Sequence, residues 1–364
     1  MTISLSMIVK NAEPFLADCL RSVAGCVDEM VVVDTGSTDG TVELAKSLGA
    51  KVFFFDWVDD FSAARNFSLS RIACEYAFIL DADEVLDAGA AEWFRTREKE
   101  GKSAAWGLET HNYFSARPDL PGMLKVEAPV TLPKALARWN AGWYFPSKKV
   151  RFFRNLPGIR FDFPVHETLE HSLAQKKIPI LESPVLIHHH GYLSSNEAQG
   201  KAKALMYRKI LQEQVLKHPN QAKTCYDYAY QCFLMGDYSK ALEFFSRAKK
   251  LELQWPMLDI LLAESLNRLG RNEELMAFVL SVPEHHEYSL ALRELFAGAC
   301  AATGQMEKAV QVFRELLKEK PGNPEKICLR LGQVFEKMGN VEMARAYLVK
   351  ARQWTTQDSR ESKT

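Results

Sequence analysis

Two carboxylates separated by one residue, with a third directly after them, stand where an apolar run ends: Tyr76–Leu80 leads into Asp81-Ala82-Asp83-Glu84. A strand exit followed by Asp-x-Asp aims two side chains to one face, and neighbouring anions are costly unless a cation lies between them and another group. Mg²⁺ or Mn²⁺ suits oxygen donors of this kind, usually through one or two carboxylates while a substrate diphosphate fills other positions. A solvated acidic turn is the alternative for such a triplet taken alone. A second group of donors is Ile187-His188-His189-His190-Gly191-Tyr192. On a strand, His188 and His190 face one way and His189 the other. Imidazole accompanies Mn²⁺ more readily than Mg²⁺, and each of the three is equally well a structural histidine. His111, His166 and His171 stand apart in sequence and are assigned to no metal.

The elements that must carry these groups follow from periodicity. Ile3–Val9, Met30–Val33, Lys51–Phe55 and Tyr76–Leu80 are short β-branched or aromatic runs. Between them lie apolar residues at helical spacing, as in Phe15, Leu16, Cys19, Leu20 and Val23, or Phe61, Ala64, Phe67 and Leu69. Continuous apolar strands alternating with such helices predict an α/β domain with a parallel sheet buried on both faces. Asp34, Asp56 and Asp81 then fall at the carboxyl ends of strands, where open α/β sheets bind ligands. Gly36 and Gly40 permit a tight turn into a helix whose N-terminus favours anions. Ser37, Thr38 and Asp39 either serve a ligand there or simply cap that helix. From about 100 to 192, longer strand-like pieces (Ala104–Tyr113, Lys149–Arg154, Pro179–His190) alternate with Pro- and Trp-rich sequence, and eight aromatics lie between Trp139 and Phe163. They predict either a second small sheet closing the core or a wall on which an acceptor stacks.

After Gly191 the strands stop. Gly236, Gly270, Gly304 and Gly339 recur every 34 or 35 residues. Ala241, Leu275, Ala309 and Ala344 stand five residues after them, and Ala229, Ala263, Ala297 and Gly332 seven before. Small residues at those places let paired helices approach, and the glycine ends the first helix of each pair. The region 221–354 resembles the tetratricopeptide repeat, whose period is about 34 residues. Leu275, Val279 and Pro283 depart from that pattern in the second repeat. A bridging helix is expected from Ser195 to Lys217, within a 195–220 connection between a 1–194 α/β domain and the repeats, and 355–364 is expected to be a disordered tail.

With 364 residues, 47% hydrophobic and 25% charged, the chain has ordinary globular composition and room for two domains. Lys plus Arg equals Asp plus Glu at 46 each, so no overall field exists to hold nucleic acid. The apolar opening Ile3–Val9 is about half a signal peptide's core and too short to span a bilayer. Seven scattered cysteines without a CxxC pair point to reduced thiols and a cytoplasmic protein rather than disulfides or zinc.

Ser6-Met7-Ile8-Val9-Lys10-Asn11, Val31-Val32-Val33-Asp34-Thr35-Gly36-Ser37-Thr38-Asp39-Gly40-Thr41, Phe61-Ser62-x-x-Arg65-Asn66 and Leu80-Asp81-Ala82-Asp83-Glu84 occur in that order. Together they resemble the inverting family 2 glycosyltransferases of GT-A fold (Rossmann-like, mostly parallel sheet). The chain is similar to a branch that carries tetratricopeptide repeats and includes peptide and lipopolysaccharide-core transferases. The resemblance implies a nucleotide-sugar pocket drawing on Ile8, Lys10, Asn11, Asp34, Ser37, Asp39, Arg65, Asp81 and Ala82. Asp34 would accept from the base edge, with Asp39 supporting that pocket, Asp81 would meet the ribose, and Asp83 the metal. Arg65 would contact the diphosphate or donor sugar, or else pair with Asp59, Asp60 or Asp34. Val165-His166-Glu167 matches a Val-His-Glu motif of the branch and implies Glu167 as base, with His166 and Asp162 behind it; pairing with Arg151 or Arg154, or orienting an acceptor, are its alternatives. An Ile-x-His-x-Gly-Tyr pattern implies His189 as a further metal ligand, with Mn²⁺ favoured over Mg²⁺.

The expected function is metal-dependent, inverting transfer from a nucleotide-diphosphate sugar, UDP-sugars favoured, to a peptide, protein or glycan acceptor recruited by the repeats, whose exposed faces also suit a homodimer. The rivals are a lipopolysaccharide-core or lipid-linked acceptor and a non-catalytic nucleotide-binding scaffold. Residues after Ser195 hold 25 Lys and Arg against 21 Asp and Glu, and Lys201, Lys203, Arg208 and Lys209 form a local basic patch that would allow peripheral membrane contact.

Overall fold

Ile3–Val9 alternates apolar residues with Ser4 and Ser6 and forms strand β1. The sequence continues as α1 (Glu13–Val23), β2 (Glu29–Asp34), α2 (Thr41–Ser47), β3 (Lys51–Phe54), α3 (Phe61–Leu69) and β4 (Tyr76–Ile79). These four strands are parallel in the order β3-β2-β1-β4. Strand order therefore reverses at β1, and the exits of β1 and β4 form the crevice where such sheets bind ligands. The period of two divides the core. Ile3, Leu5, Met7 and Val9 pack with Leu16, Leu20 and Val23 of α1, whereas Val31, Val33, Ala77 and Ile79 pack on the other face. Ser6 faces α3, where its hydroxyl meets that of Ser68 at 2.7 Å. Asp60 caps α3, accepting from Ala63 N at 3.0 Å.

The computed structural model describes residues 1–96, 104–116, 123–126, 140–194, 197–283, 286, 289–319 and 323–361. The chain divides into two compact units, Met1–Leu205 and Met206–Thr364. In the first, β5 (Glu84–Leu86), α4 (Ala90–Thr96), β6 (Ala105–Phe114), β7 (Leu124–Lys125), β8 (Trp143–Arg154), α5 (Glu170–Gln175), β9 (Ile180–His189) and α6 (Gly191–Ser194) follow. They do not make a second sheet. β8 pairs antiparallel with β4 and carries the same sheet onward through β6, β9 and β5. The sheet is thus mixed, parallel where the sequence predicts it and largely antiparallel beyond β4. Phe152 and Phe153, adjacent in β8, enter opposite faces of the core. Trp139, one of the eight clustered aromatics, lies outside the described residues.

The division between units falls inside α7 (Glu197–Lys217) rather than at its ends. Four helix pairs follow: α8 (Ala222–Leu234) with α9 (Tyr238–Lys250), α10 (Pro256–Arg268) with α11 (Asn272–Ser281), α12 (Ser289–Ala302) with α13 (Met306–Lys318), and α14 (Pro324–Lys337) with α15 (Val341–Glu361). Each recurring glycine has a left-handed backbone, φ 69° to 83°. In each turn the following N–H reaches back to a carbonyl five residues earlier, as from Asp237 to Cys232 and from Gln305 to Cys300, which closes a Schellman stop. The small residues beside them are buried. α11 ends at Ser281, ahead of Pro283. α15 runs to Glu361, so 355–361 is helical where a disordered tail is expected; 362–364 lie outside the described residues.

Candidate active site

Asp34 and Asp83 sit on one rim, at the exits of parallel strands with β1 between them. The buried Asp34 carboxylate accepts from Gly36 N and Ser37 N, each at 3.0 Å. Gly36, at φ 101°, supplies the conformation that brings those N–H groups round. Asp34 therefore builds its own turn while a carboxylate retains acceptor capacity for a ligand. Asn11, itself left-handed at φ 50°, ties this turn to the β1 exit: its N–H donates to Ser37 Oγ at 2.9 Å and its Oδ1 accepts from Thr38 N at 2.8 Å. Asp39 takes the capping role, accepting from Thr41 N at 3.1 Å and Glu13 N at 3.3 Å. Burial raises its carboxyl, but these bonds and that from the Thr41 hydroxyl outweigh it and hold it below its ordinary value. Ile8 is half-buried and Lys10 exposed at the same strand exit.

The centre of the site is an ionic chain. Arg65, buried on α3, donates from Nε to Glu167 Oε1 and from a terminal nitrogen to Asp81 Oδ1, both at 2.6 Å. None of the pairings open to Arg65 or Glu167 from sequence occurs: Arg65 takes neither Asp59, Asp60 nor Asp34, and Glu167 takes neither Arg151 nor Arg154. Arg151 on β8 instead donates to the buried Glu84 at 2.6 Å and lies 3.6 Å from Asp81. Burial raises the Asp81 carboxyl, yet Arg65, Arg151 and Lys149 hold it well below the carboxylate range. Burial dominates at Glu84 and pushes it up despite Arg151. Asn66, beside Arg65, donates to Phe161 O at 2.9 Å and accepts from Phe161 N at 2.8 Å, and Phe61 N donates to Pro164 O at 2.9 Å. The Phe-Ser-x-x-Arg-Asn motif thus docks the segment that carries Glu167. Reciprocal backbone bonds between Asp162 and Thr168 close this loop, in which Phe163 and His166 have φ 73° and 55°. His166 is exposed. Asp162 does not back Glu167; its carboxylate lies 3.4 Å from Arg160 and 3.5 Å from His171.

Beyond Ala82, half-buried, Asp83 Oδ2 lies 3.2 Å from His189 Nε2. His189 Nδ1 meets Asn112 Oδ1 at 2.8 Å, and Asn112 Nδ2 donates to Phe145 O at 2.9 Å and Ser147 Oγ at 3.0 Å. Two donor atoms about 3 Å apart match neighbouring positions of an octahedral ion with ligands at roughly 2.1 Å. The space for such an ion is provided by Gly191: a Cβ there would lie 2.2 Å from Asp83 Oδ2 and 2.6 Å from His189 Nε2. Asp83 and His189 therefore fit a small divalent cation. Without one, burial raises the Asp83 carboxyl, but His189 pulls it below its ordinary value. Burial lowers the imidazole, but Asp83 and its acidic neighbours raise it overall. Among the described residues no group of three or more His, Cys, Asp or Glu is placed to hold a metal; small divalent ions of this kind commonly complete their shell with substrate oxygens and water.

The other two histidines turn to the core. Buried His188 meets Tyr113 OH at 2.8 Å and Asp87 at 3.3 Å, and burial lowers its pKa. Buried His190 packs against the Phe15 ring, and its N–H donates to Asp83 O. Tyr192, 55% exposed, stacks on Phe114 and sets its ring edge-on to His189. Asn112 and the role of Gly191 escape sequence reasoning; the signal for Gly191 is its position in the Ile-x-His-x-Gly-Tyr pattern, and Asn112, 77 residues from His189, has none.

Residues 4–107 match the family described as glycosyl transferase family 2, and residues 224–248 and 325–355 match tetratricopeptide-repeat families. The chain carries a family 2 glycosyltransferase domain at its N-terminal end and tetratricopeptide repeats at its C-terminal end. A TPR repeat-containing protein of Synechococcus elongatus is 33% identical over 230 residues, covering 61% of this chain and 50% of that protein. The SPbeta prophage-derived glycosyltransferase SunS of Bacillus subtilis is 26% identical over 284 residues, 74% of this chain and 60% of that protein. The lipopolysaccharide core biosynthesis glycosyltransferase LpsC of Rhizobium meliloti is 33% identical over 96 residues, 25% of this chain and 35% of that protein. The chain spans about half the length of the first of these relatives. Among solved structures, the match to S. aureus TarS 1–349 covers 97% of this chain and 92% of that chain, with 16% identity and a TM-score of 0.36.

Proposed function

We propose that this protein is a metal-dependent, inverting glycosyltransferase that moves a sugar from a nucleotide diphosphate, a UDP-sugar in the favoured case, to an acceptor recruited through the repeats. The observation that carries this reading is the pairing of Asp83 and His189 around the space left by Gly191, on the rim that also holds Asp34. A divalent ion held there, Mn²⁺ by preference, would draw negative charge off the departing diphosphate. Asp34 and the Asn11 turn would receive the nucleoside. Arg65 holds Glu167 by Oε1, leaving Oε2 as the oxygen to take the acceptor's proton late in the displacement. His166, exposed beside Glu167, would face the acceptor.

A peptide or protein acceptor is the first choice, because a repeat array offers a long surface for an extended segment. The likeness to LpsC favours a lipopolysaccharide-core sugar as the second. No helix among the described residues is long and apolar enough to cross a membrane. The test is a panel of UDP-, GDP- and dTDP-sugars with Mn²⁺, read by thermal shift and donor hydrolysis. A UDP-sugar should raise the melting midpoint, and Asp83→Asn should remove turnover while keeping the fold. Failure of every donor to bind or hydrolyse would sink the proposal. Flotation with anionic vesicles separates the acceptors, binding favouring the lipid-linked one.

A further inference from the structure

His189 is held from both sides, and the side away from Asp83 has a defined polarity. Asn112 on β6 lies in register with Phe145 on β8 and with His189 on β9. Its Nδ2 donates to the Phe145 carbonyl at 2.9 Å, and a carbonyl can only accept. That bond, with the one to Ser147 Oγ at 3.0 Å, fixes which way the amide is turned, so the atom facing His189 Nδ1 at 2.8 Å is the acceptor Oδ1. The imidazole must then carry a proton on Nδ1. In its neutral form it presents the Nε2 lone pair to Asp83 Oδ2, 3.2 Å away, with the Gly191 space between. Two lone pairs facing each other at that separation repel; in the metal-free protein the hydrogen bond to Asn112 offsets that repulsion, and a cation between them would remove it.

We infer that Asn112 is the positioning residue that fixes the tautomer of His189, keeping its proton on Nδ1 and its Nε2 lone pair toward Asp83. The inference deepens the metal-dependent reading proposed above and rests on it for its consequence, though not for its geometry. The other tautomer would place N–H in the space of the ion and exclude it. Partners that orient a ligating histidine in this way commonly change metal affinity by ~10–100-fold when removed.

The test uses the full chain in two measurements. In metal-free protein labelled with ¹⁵N-histidine, at a pH above the imidazole titration and with His189→Gln to assign the resonance, the ring shifts report the tautomer directly. Wild type should show the Nδ1–H form, Asn112→Ala should shift toward Nε2–H, and Asn112→Asp, which keeps an acceptor, should retain Nδ1–H. Mn²⁺ affinity in the presence of UDP, followed by the paramagnetic signal of the free ion, should fall ~10–100-fold in Asn112→Ala and recover in Asn112→Asp. If the alanine variant does not fold, Asn112→Ser, too short to reach Nδ1, replaces it with the same expectations. An unchanged tautomer, or unchanged Mn²⁺ affinity, in a folded Asn112→Ala or Asn112→Ser would overturn the inference. If wild type itself binds no Mn²⁺, the metal reading falls, and the tautomer spectrum alone decides the role of Asn112.

Discussion

A methyl group at position 191 would stand where the proposed ion should be. Built on the backbone, the Cβ of Gly191→Ala meets Asp83 Oδ2 at 2.2 Å and His189 Nε2 at 2.6 Å, both closer than non-bonded atoms tolerate. Asp83 must retreat by roughly 1 Å to reach ordinary contact, and its side chain can do so because Oδ2 is the far end of a rotatable group. The backbone does not resist: Gly191 opens α6 and is not among the residues with positive φ. The gain of about 0.5 kcal/mol through the unfolded chain is outweighed by the displacement of Asp83 and of the His189 ring, which Asn112 holds from the other side, since overpacking of this kind costs about 1–3 kcal/mol. A displacement of this size in a binding or catalytic group typically costs about 100-fold. Gly191→Ala should therefore fold but melt somewhat below the wild-type midpoint while losing about 100-fold in Mn²⁺ affinity and in Mn²⁺-supported donor hydrolysis. Titration of Mn²⁺ with UDP present, beside a thermal melt, separates the two effects. Wild-type affinity in the folded variant would refute the placement of the ion, and an unchanged midpoint would refute the close approach of position 191 to Asp83 and His189.

Arg65→Met keeps the bulk of the side chain but leaves Asp81 and Glu167 without their shared cation; urea denaturation should show a loss of about 3 kcal/mol, and a loss below about 1 kcal/mol would mean that the pairs are effectively solvated. In the repeats, burial pushes the Asp227 carboxyl from an ordinary 3.8 up to about 6 against the pull of Lys223. Because the folded value is the higher one, stability is fullest below about pH 4 and declines as pH rises through 6, by at most about 3 kcal/mol. Asp227→Asn should flatten that portion of the stability profile, and an unchanged slope would refute the assignment. Gly304→Ala meets no atom within 4 Å, but φ is 83°; denaturation should register a loss of about 1 kcal/mol from backbone strain alone, and no loss would mean that the turn relaxes.

Much of the architecture was legible in the sequence. The β1–β4 strands and their helices declared themselves by period, and Asp34 and Asp81 marked strand exits that the sheet order then brought to one rim. The repeat glycines were readable for a local reason: a left-handed residue ends a helix within the five residues of its own turn. The later strands were readable as strands but not as members of the same sheet, since an apolar strand does not name its neighbour. β8 pairs Phe153 with Ala77 of β4, across 76 residues.

The side-chain partners divide in the same way. Asp39 bonds Thr41 within its own turn, as the capping reading anticipated, whereas the Ser37 hydroxyl is met by Asn11, 26 residues away. Arg65 meets Glu167 across 102 residues and Asp81 across 16, and His189 meets Asn112 and Asp83 across 77 and 106. From sequence alone, each of the first two had several candidate partners of the right charge, and the one observed was not among them. The linear chain determined which residue types stand at strand exits and helix stops, because those depend on φ, ψ and periodicity over a few residues. Only the tertiary structure decided that Arg65 joins Asp81 to Glu167, that Asn112 orients His189, and that the missing Cβ of Gly191 leaves room beside Asp83. Charge and size permit many such encounters, and strand register selects one.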